Sequence, residues 1–317
     1  MITTNHTNTT NLSSVISSLF VRVREGSWLI FLILFLGCNA SNGREITDRT
    51  GKTVTIKNQI NRIVSTAPSN TEIITDLGQA HKLVAIDRHS ANVTGLPEGL
   101  TQLDFFYPDA EAIIKLEPDI IIASGHNPTG TGEDPFKLLR SVGISVVYIS
   151  MSASIGEIYN DIAFIADIPR VQKEGEKLIS SMKAQIDEIA HMTASIKDRR
   201  TVYFEISAAP DMMTFGKGSY INDMISVIGA KNVFGDENWL VTPGAEAVIS
   251  RNPDVIFTNV NYIDDPIAEI KSRAGFNHIN AVKNNRIYQI DTDSSVRPSS
   301  RIILALRQMS QALDGDR

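Results

Sequence analysis

A chain of 317 residues has room for two domains, and one compact core of that size is not expected. Apolar residues make up 42% and charged residues 21%, which excludes both a multi-span membrane protein and a disordered chain. Thirty Lys and Arg against 36 Asp and Glu leave a net charge of −6, so no basic field invites nucleic acid. Cys38 is the single cysteine, which excludes a disulfide framework and any multi-cysteine metal or iron–sulfur centre.

Cys38 closes an apolar run, residues 28–37, with Arg22 and Arg24 just upstream. Basic flank, short apolar core and small residue are the layout of an export signal. Ten such residues reach about 15 Å as helix, half of a bilayer core of about 30 Å, so a permanent span is not expected. Leu36-Gly37-Cys38, followed by Asn39-Ala40-Ser41, resembles a bacterial lipobox. That resemblance implies that the Cys38 thiol carries a diacylglycerol and starts the mature chain, tethered at the outer face of the cytoplasmic membrane or in the periplasm. The alternative is a cysteine buried in an apolar helix.

Beyond a signal segment (1–38) and a tether with the start of a hairpin (39–52), short β-rich runs alternate with amphipathic stretches, the mark of α/β layers. In a first lobe (53–152), strands are expected over 53–56, 62–65, 83–86, 119–123 and 145–149, and helices near 69–78, 108–117 and 134–142. A connecting segment (153–198) follows. In its stretch 169–197, Val171, Leu178, Met182, Ile186, Ile189, Met192 and Ile196 recur at three- or four-residue steps and predict one long helix of about 42 Å. A second lobe (199–317) has expected strands over 201–206, 254–258 and 286–290 and helices near 219–229, 243–251, 265–273 and 298–313. The expected architecture is two α/β lobes with mostly parallel sheets flanked by helices, joined by a backbone helix, with a ligand cleft between them.

The lobes are related. Residues 108–122 align without gaps on 243–257, sharing Pro, Ala, Glu, Ala, Ile, Pro, Asp and Ile, which is eight of fifteen positions. Each copy reads as a helix opened by proline at its first turn, stopped before the next proline and fed into a buried strand. Glu111 and Glu246 are equivalent in this repeat. A pair of equivalent carboxylates suits a partner built from two equivalent subunits; the plainer reading is that each favours the positive end of its own helix.

Catalytic signatures are missing. Gly51-Lys52-Thr53 lacks the glycine that a phosphate loop needs five residues earlier, where Ile46 stands, and the six histidines show no close ligand spacing. No Gly-x-Ser-x-Gly or His-Glu-x-x-His sequence occurs, and no metal site is expected. In two-lobed α/β proteins ligands sit off the carboxyl ends of the strands. Ser69 and Asn70, at the start of a helix, offer hydroxyl, amide and free N–H groups to a ligand, or else simply cap that helix. The aromatics of Asp104-Phe105-Phe106-Tyr107 and of Asn238-Trp239-Leu240 recur ahead of Glu111 and Glu246, and they suggest a flat or bulky ligand stacked between lobes.

Together with the two repeats, the stretches 62–72, 214–220, 228–234 and 297–303 make the chain resemble the helical-backbone substrate-binding proteins of ABC importers for cobalamin, ferric siderophores and haem. The resemblance covers residues 45–313. It implies a non-enzymatic receptor that captures a metal chelate, with cobalamin slightly ahead of a ferric siderophore and haem as the alternative, and that needs no covalent cofactor. It implies delivery to an ABC permease dimer with its ATPase subunits, with Glu111 and Glu246 as the docking residues. The pocket positions it carries over are His89, Phe105, His126, Met213, Trp239 or Leu240, and Arg297, with Arg88 and Arg297 as candidates for siderophore carboxylates or phenolates. From another class, an exported two-domain enzyme such as a hydrolase would use an unrecognised carboxylate, Asp104 or Glu205.

Overall fold

A computed structural model describes residues 43–104, 106–125, 134–194 and 196–314. Cys38, Phe105 and His126 lie outside the described residues. Among the described residues no helix is long and apolar enough to cross a membrane.

The first lobe begins with an antiparallel hairpin, β1 (Gly43–Thr47) and β2 (Thr53–Lys57). Its turn is built by Asp48, whose carboxylate accepts the N–H groups of Thr50 at 2.9 Å and Lys52 at 3.0 Å. There follow β3 (Ile63–Ser65), α1 (Pro68–Asp76), β4 (Leu83–Asp87), β5 (Thr101–Leu103), α2 (Ala110–Lys115), β6 (Ile120–Ser124), α3 (Lys137–Ser141) and β7 (Ser145–Ile149). The five strands β5-β4-β3-β6-β7 form one parallel sheet. β3 and β6 are buried throughout, as parallel strands covered on both faces must be.

Two helices connect the lobes, α4 (Ile155–Asp167) and α5 (Gln172–Thr193). The expected single helix over 169–197 is therefore shorter, about 33 Å from its 22 residues, and preceded by a second one. Arg170 takes φ 62° between them. At Gly175 a Cβ would come within 2.7 Å of the Ala166 Cβ, so the glycine lets α5 cross closely over α4. Met182, Ile186 and Ile189 of the predicted stripe are buried, whereas Met192 is exposed.

The second lobe contains β8 (Thr201–Glu205), β9 (Thr214–Phe215), α6 (Tyr220–Val227), β10 (Lys231–Asn232), β11 (Leu240–Val241), α7 (Ala245–Arg251), β12 (Val255–Thr258), α8 (Pro266–Ser272), α9 (Asn280–Lys283), β13 (Ile287–Gln289), α10 (Thr292–Val296) and α11 (Ile302–Asp314). Its parallel sheet runs β10-β8-β12-β13, and β9 pairs with β11 apart from it. Helix α11 starts at Ile302, later than expected, because Ser299 is drawn off the helix path: its hydroxyl donates to Glu72 at 2.6 Å.

The sheet orders superimpose the lobes, β4-β3-β6-β7 on β10-β8-β12-β13, as the repeat requires. The correspondence reaches single residues. Glu117 and Asn252, equivalent in the repeat, both take φ 45° where the helix turns into the strand. The equivalent Asp119 and Asp254 each clamp the start of the central strand. Asp119 accepts the N–H groups of Asn61 at 2.8 Å and Arg62 at 3.0 Å, and Asp254 accepts that of Thr201 at 2.9 Å. Pro108 and Pro243, by contrast, stand outside the first turn, ahead of the capping residues Asp109 and Gly244.

Burial raises the Asp119 and Asp254 carboxyls, but for Asp119 the Lys57 ion pair and two backbone N–H groups, and for Asp254 Thr201 and Asn280, reverse this and hold both below the ordinary value. A carboxyl lowered in the folded state contributes stability above its unfolded pKa and loses it as pH falls through the lowered value. Asp119→Asn with Asp254→Asn should therefore cost about 2 kcal/mol per site at neutral pH. The difference from the parent should shrink as pH falls below the usual carboxylate range, as urea unfolding at successive pH values will show; a difference independent of pH would contradict the clamps.

One apolar core runs through both lobes: Ile63, Ile120 and Ile122 join Ile162, Met182 and Ile186 of the connecting helices and Phe204, Phe257 and Leu306 of the second lobe. Smaller clusters cover the outer face of each sheet. A shared core allows a tilt of a few degrees and opposes hinge closure. Small-angle scattering should show the same radius of gyration with and without ligand.

Candidate functional site

A cavity of about 420 Å³ opens between the lobes. The first lobe lines it from the carboxyl ends of four strands: Ala67, Pro68, Ser69 and Asn70 after β3, His89 after β4, Ser124 at the end of β6, and Ile149 to Ser152 at the end of β7. The second lobe adds Asn261 after β12 and Thr292, Asp293, Val296, Arg297 and Pro298 after β13, and Asp161 of α4 completes the wall. Strand ends facing each other across two sheets are where such folds hold ligands.

Helix α1 starts at Pro68 with Ala67 as its cap and no side-chain cap, so Ser69 and Asn70 do not cap it. Asn70 is buried, and its amide donates to the Ile122 carbonyl at 3.4 Å. Asp161 is almost fully buried; Arg49 Nε pairs with it at 2.7 Å and the Ser152 hydroxyl donates at 2.8 Å. Burial pushes the Asp161 carboxyl up, with Arg49 and Ser152 opposing.

Arg297 joins the lobes. One guanidinium nitrogen donates to Glu72 Oε1 of α1 at 2.9 Å, and the other donates at 3.0 Å to both the His89 carbonyl and Asn92 Oδ1 and lies 2.7 Å from Asp293. Asn92 in turn donates to Asp293 at 2.5 Å. Burial raises the Glu72 carboxyl, and Ser299 and Arg297 counteract that.

Of the residues proposed for the pocket, Ser69, Asn70, His89 and Arg297 come together here. Phe106 and Tyr107 do not. Asp104 accepts both of their N–H groups at 2.9 Å, and their side chains line a separate groove with Pro108, Pro135 and Leu138. Trp239 packs edge-on against Phe215 at 5.5 Å, and neither it nor Met213 lines the cavity. Ser124, Ser150, Met151, Ser152, Asp161, Asn261, Thr292 and Asp293 also line the cavity without any motif of their own in the sequence; most of them follow or end predicted strands. Among the described residues no group of three or more His, Cys, Asp or Glu is placed to hold a metal ion. Glu111 and Glu246 are exposed in the first turns of α2 and α7, with no ion-pair partner among the described residues.

The sequence profile of the family described as periplasmic binding protein matches residues 63–294. The chain belongs to that family. It is 29% identical over 316 residues to an uncharacterized ABC transporter substrate-binding lipoprotein, YvrC, of Bacillus subtilis, covering 93% of this chain and 99% of the relative. The crystal structure of a possible iron-binding, periplasmic solute-binding protein from Staphylococcus epidermidis has 32% identity and a TM-score of 0.73 over 80% of this chain and 99% of that one. The periplasmic vitamin B12-binding protein BtuF of Vibrio cholerae has 26% identity and a TM-score of 0.66 over 81% and 98%. These periplasmic binding proteins carry the two α/β lobes described above, and they are solute-binding proteins, not enzymes. The hydrolase alternative falls with them. Of its two carboxylates, Glu205 is closed off by a bidentate ion pair with Arg273 at 2.5 and 2.9 Å.

Proposed function

We propose that this chain is the lipid-anchored, extracytoplasmic receptor of an ABC importer, and that it captures a metal chelate, cobalamin or a ferric siderophore, between its lobes. The observation that carries this reading is the interlobe cavity at the strand ends, in a family whose named relatives bind solutes for transport. Its volume lies within the range of small-molecule sites, about 300–1,000 Å³. Cobalamin with its side chains and nucleotide loop is larger, so it would sit partly outside the cavity.

Cys38 is the attachment point for lipid in this reading. Glu111 and Glu246 dock onto the permease dimer. Each is in the first turn of a helix that feeds a parallel strand, so both stand at the end of their lobe that faces the cleft opening, at positions the repeat makes equivalent. Two like subunits of the permease then meet two like carboxylates.

Titration with cyanocobalamin, a ferric trihydroxamate and haem tests the proposal, read through the fluorescence of Trp239 and the visible absorbance of the chelates. At least one should bind with a Kd below about 10 μM, roughly −7 kcal/mol. Absence of binding by all of them would contradict it.

A further inference from the structure

Building on the receptor reading, we infer that Arg297 is a strut between the lobes and not a receptor for anions, so that the cavity takes a chelate recognised through uncharged oxygens. Among the described residues, Arg297 is the one Arg or Lys that lines the cavity. Its guanidinium is held by Glu72, the His89 carbonyl, Asn92 and Asp293, four acceptors from both lobes. Arg offers five N–H donors in a fixed fork, and this set of partners occupies both terminal nitrogens. Arg88, the other guanidinium near this loop, pairs with Asp104 at 3.1 Å and does not line the cavity.

The charges that remain are unfavourable to an anion. Asp161 and Asp293 place two carboxylates on the wall, and the partner of Arg297 deepest in the protein is a third, Glu72; Arg49, 2.7 Å from Asp161, and Arg297 are the guanidiniums paired with these three. A polycarboxylate ligand would meet three carboxylates whose two guanidiniums are already engaged, with no further Arg or Lys among the described lining residues, and removing its charge from water would cost more than the site returns. Hydroxyl and N–H donors are present instead: Ser69 and Ser150 line the cavity, and the first turn of α1 has no side-chain cap. Such donors suit carbonyl, hydroxamate or amide oxygens on a ligand without net negative charge.

Two arms test this. In the ligand arm, the full protein is titrated with a neutral ferric trihydroxamate, with cyanocobalamin and with ferric dicitrate. A neutral chelate should bind at least about tenfold more tightly than ferric dicitrate, and Glu72→Gln, which removes the buried counter-charge at nearly constant shape, should narrow that gap about tenfold. Ferric dicitrate binding as tightly as the neutral chelates, or a gap unmoved by Glu72→Gln, would overturn the inference. The second arm needs no ligand: Arg297→Lys keeps the charge but cannot reach acceptors in both lobes at once. Amide hydrogen exchange over residues 70–76 and 88–93 should speed up by about tenfold or more; unchanged exchange would overturn the strut. If no chelate of any charge binds, the receptor reading falls, while faster exchange in Arg297→Lys still upholds the strut.

Discussion

Replacing Glu111 and Glu246 together with alanine should abolish stimulation of uptake by the cognate permease while leaving ligand affinity and melting temperature where they were. Truncating one partner of a charge pair at an interface costs about 2 kcal/mol or more, roughly 30-fold in affinity, and two such losses on one receptor leave little productive docking. Both side chains are exposed and unpaired among the described residues, so the fold loses only the small helix-end contribution, about 0.3 kcal/mol or a little more each. Either single substitution should fall between the parent and the double variant, because the repeat makes the two contacts equivalent. Uptake by the double variant equal to the parent's would remove both residues from the docking surface. A loss of ligand binding would move them to the cleft instead.

Gly216→Ala should be the most destabilising exchange of a single small residue in the second lobe. A Cβ there would lie 2.3 Å from the Glu237 carbonyl oxygen and 2.8 Å from that of Phe234, both backbone atoms that cannot rotate away. The opposing segment is pinned: Gly216 donates to the Trp239 carbonyl at 2.7 Å, Lys217 to that of Glu237 at 2.9 Å, and Trp239 back to that of Lys217 at 2.9 Å. Relieving the clash means breaking this ladder and shifting Trp239, which already takes φ 54°. The expected cost is about 3 kcal/mol, or a drop in melting temperature of about 6–10 °C. Gly244→Ala is the control, since a Cβ there meets nothing within 4 Å and should shift melting by less than about 2 °C. Equal melting of the two variants would show that the 234–239 segment yields easily.

Those two sites also mark how far the chain could be read before its structure. The repeat was legible because proline and aspartate leave sharp traces at helix ends, and the structure extends it to Glu117 and Asn252, whose shared left-handed backbone no composition reveals. The strands of the two parallel sheets announce themselves as apolar runs, except β5 (Thr-Gln-Leu) and β10 (Lys-Asn), which lack one. Strands β9, β10 and β11, of two residues each, are too short to show any period. Helix α4 is not among the predicted elements, yet its sequence carries the start signal: Ser154 accepts the N–H of Glu157 at 3.1 Å, the serine-to-glutamate spacing of a helix N-terminus. The long helix was overextended at both ends because apolar spacing continues past the residues where the backbone stops.

The site was legible only where it follows local sequence. Ser69 and Asn70 could be placed at a helix start after a strand, and Ser124, Asn261 and Thr292 could have been placed by the same rule. The aromatics were misplaced because an apolar side chain beside a cleft looks the same in sequence whether it faces the ligand or packs on Phe215. Arg297 shows the limit most clearly. Its partner Glu72 lies 225 residues earlier, and nothing near either residue signals the pairing that turns a candidate ligand contact into a bond between lobes.

The most direct test of the receptor account is native mass spectrometry of the purified protein after incubation with cyanocobalamin and a neutral ferric trihydroxamate. The account predicts one intact chelate per chain, its mass unchanged after prolonged incubation, with the complex lost on heating. No adduct with either chelate, or a bound species whose mass shows that the chelate was chemically altered, would contradict it.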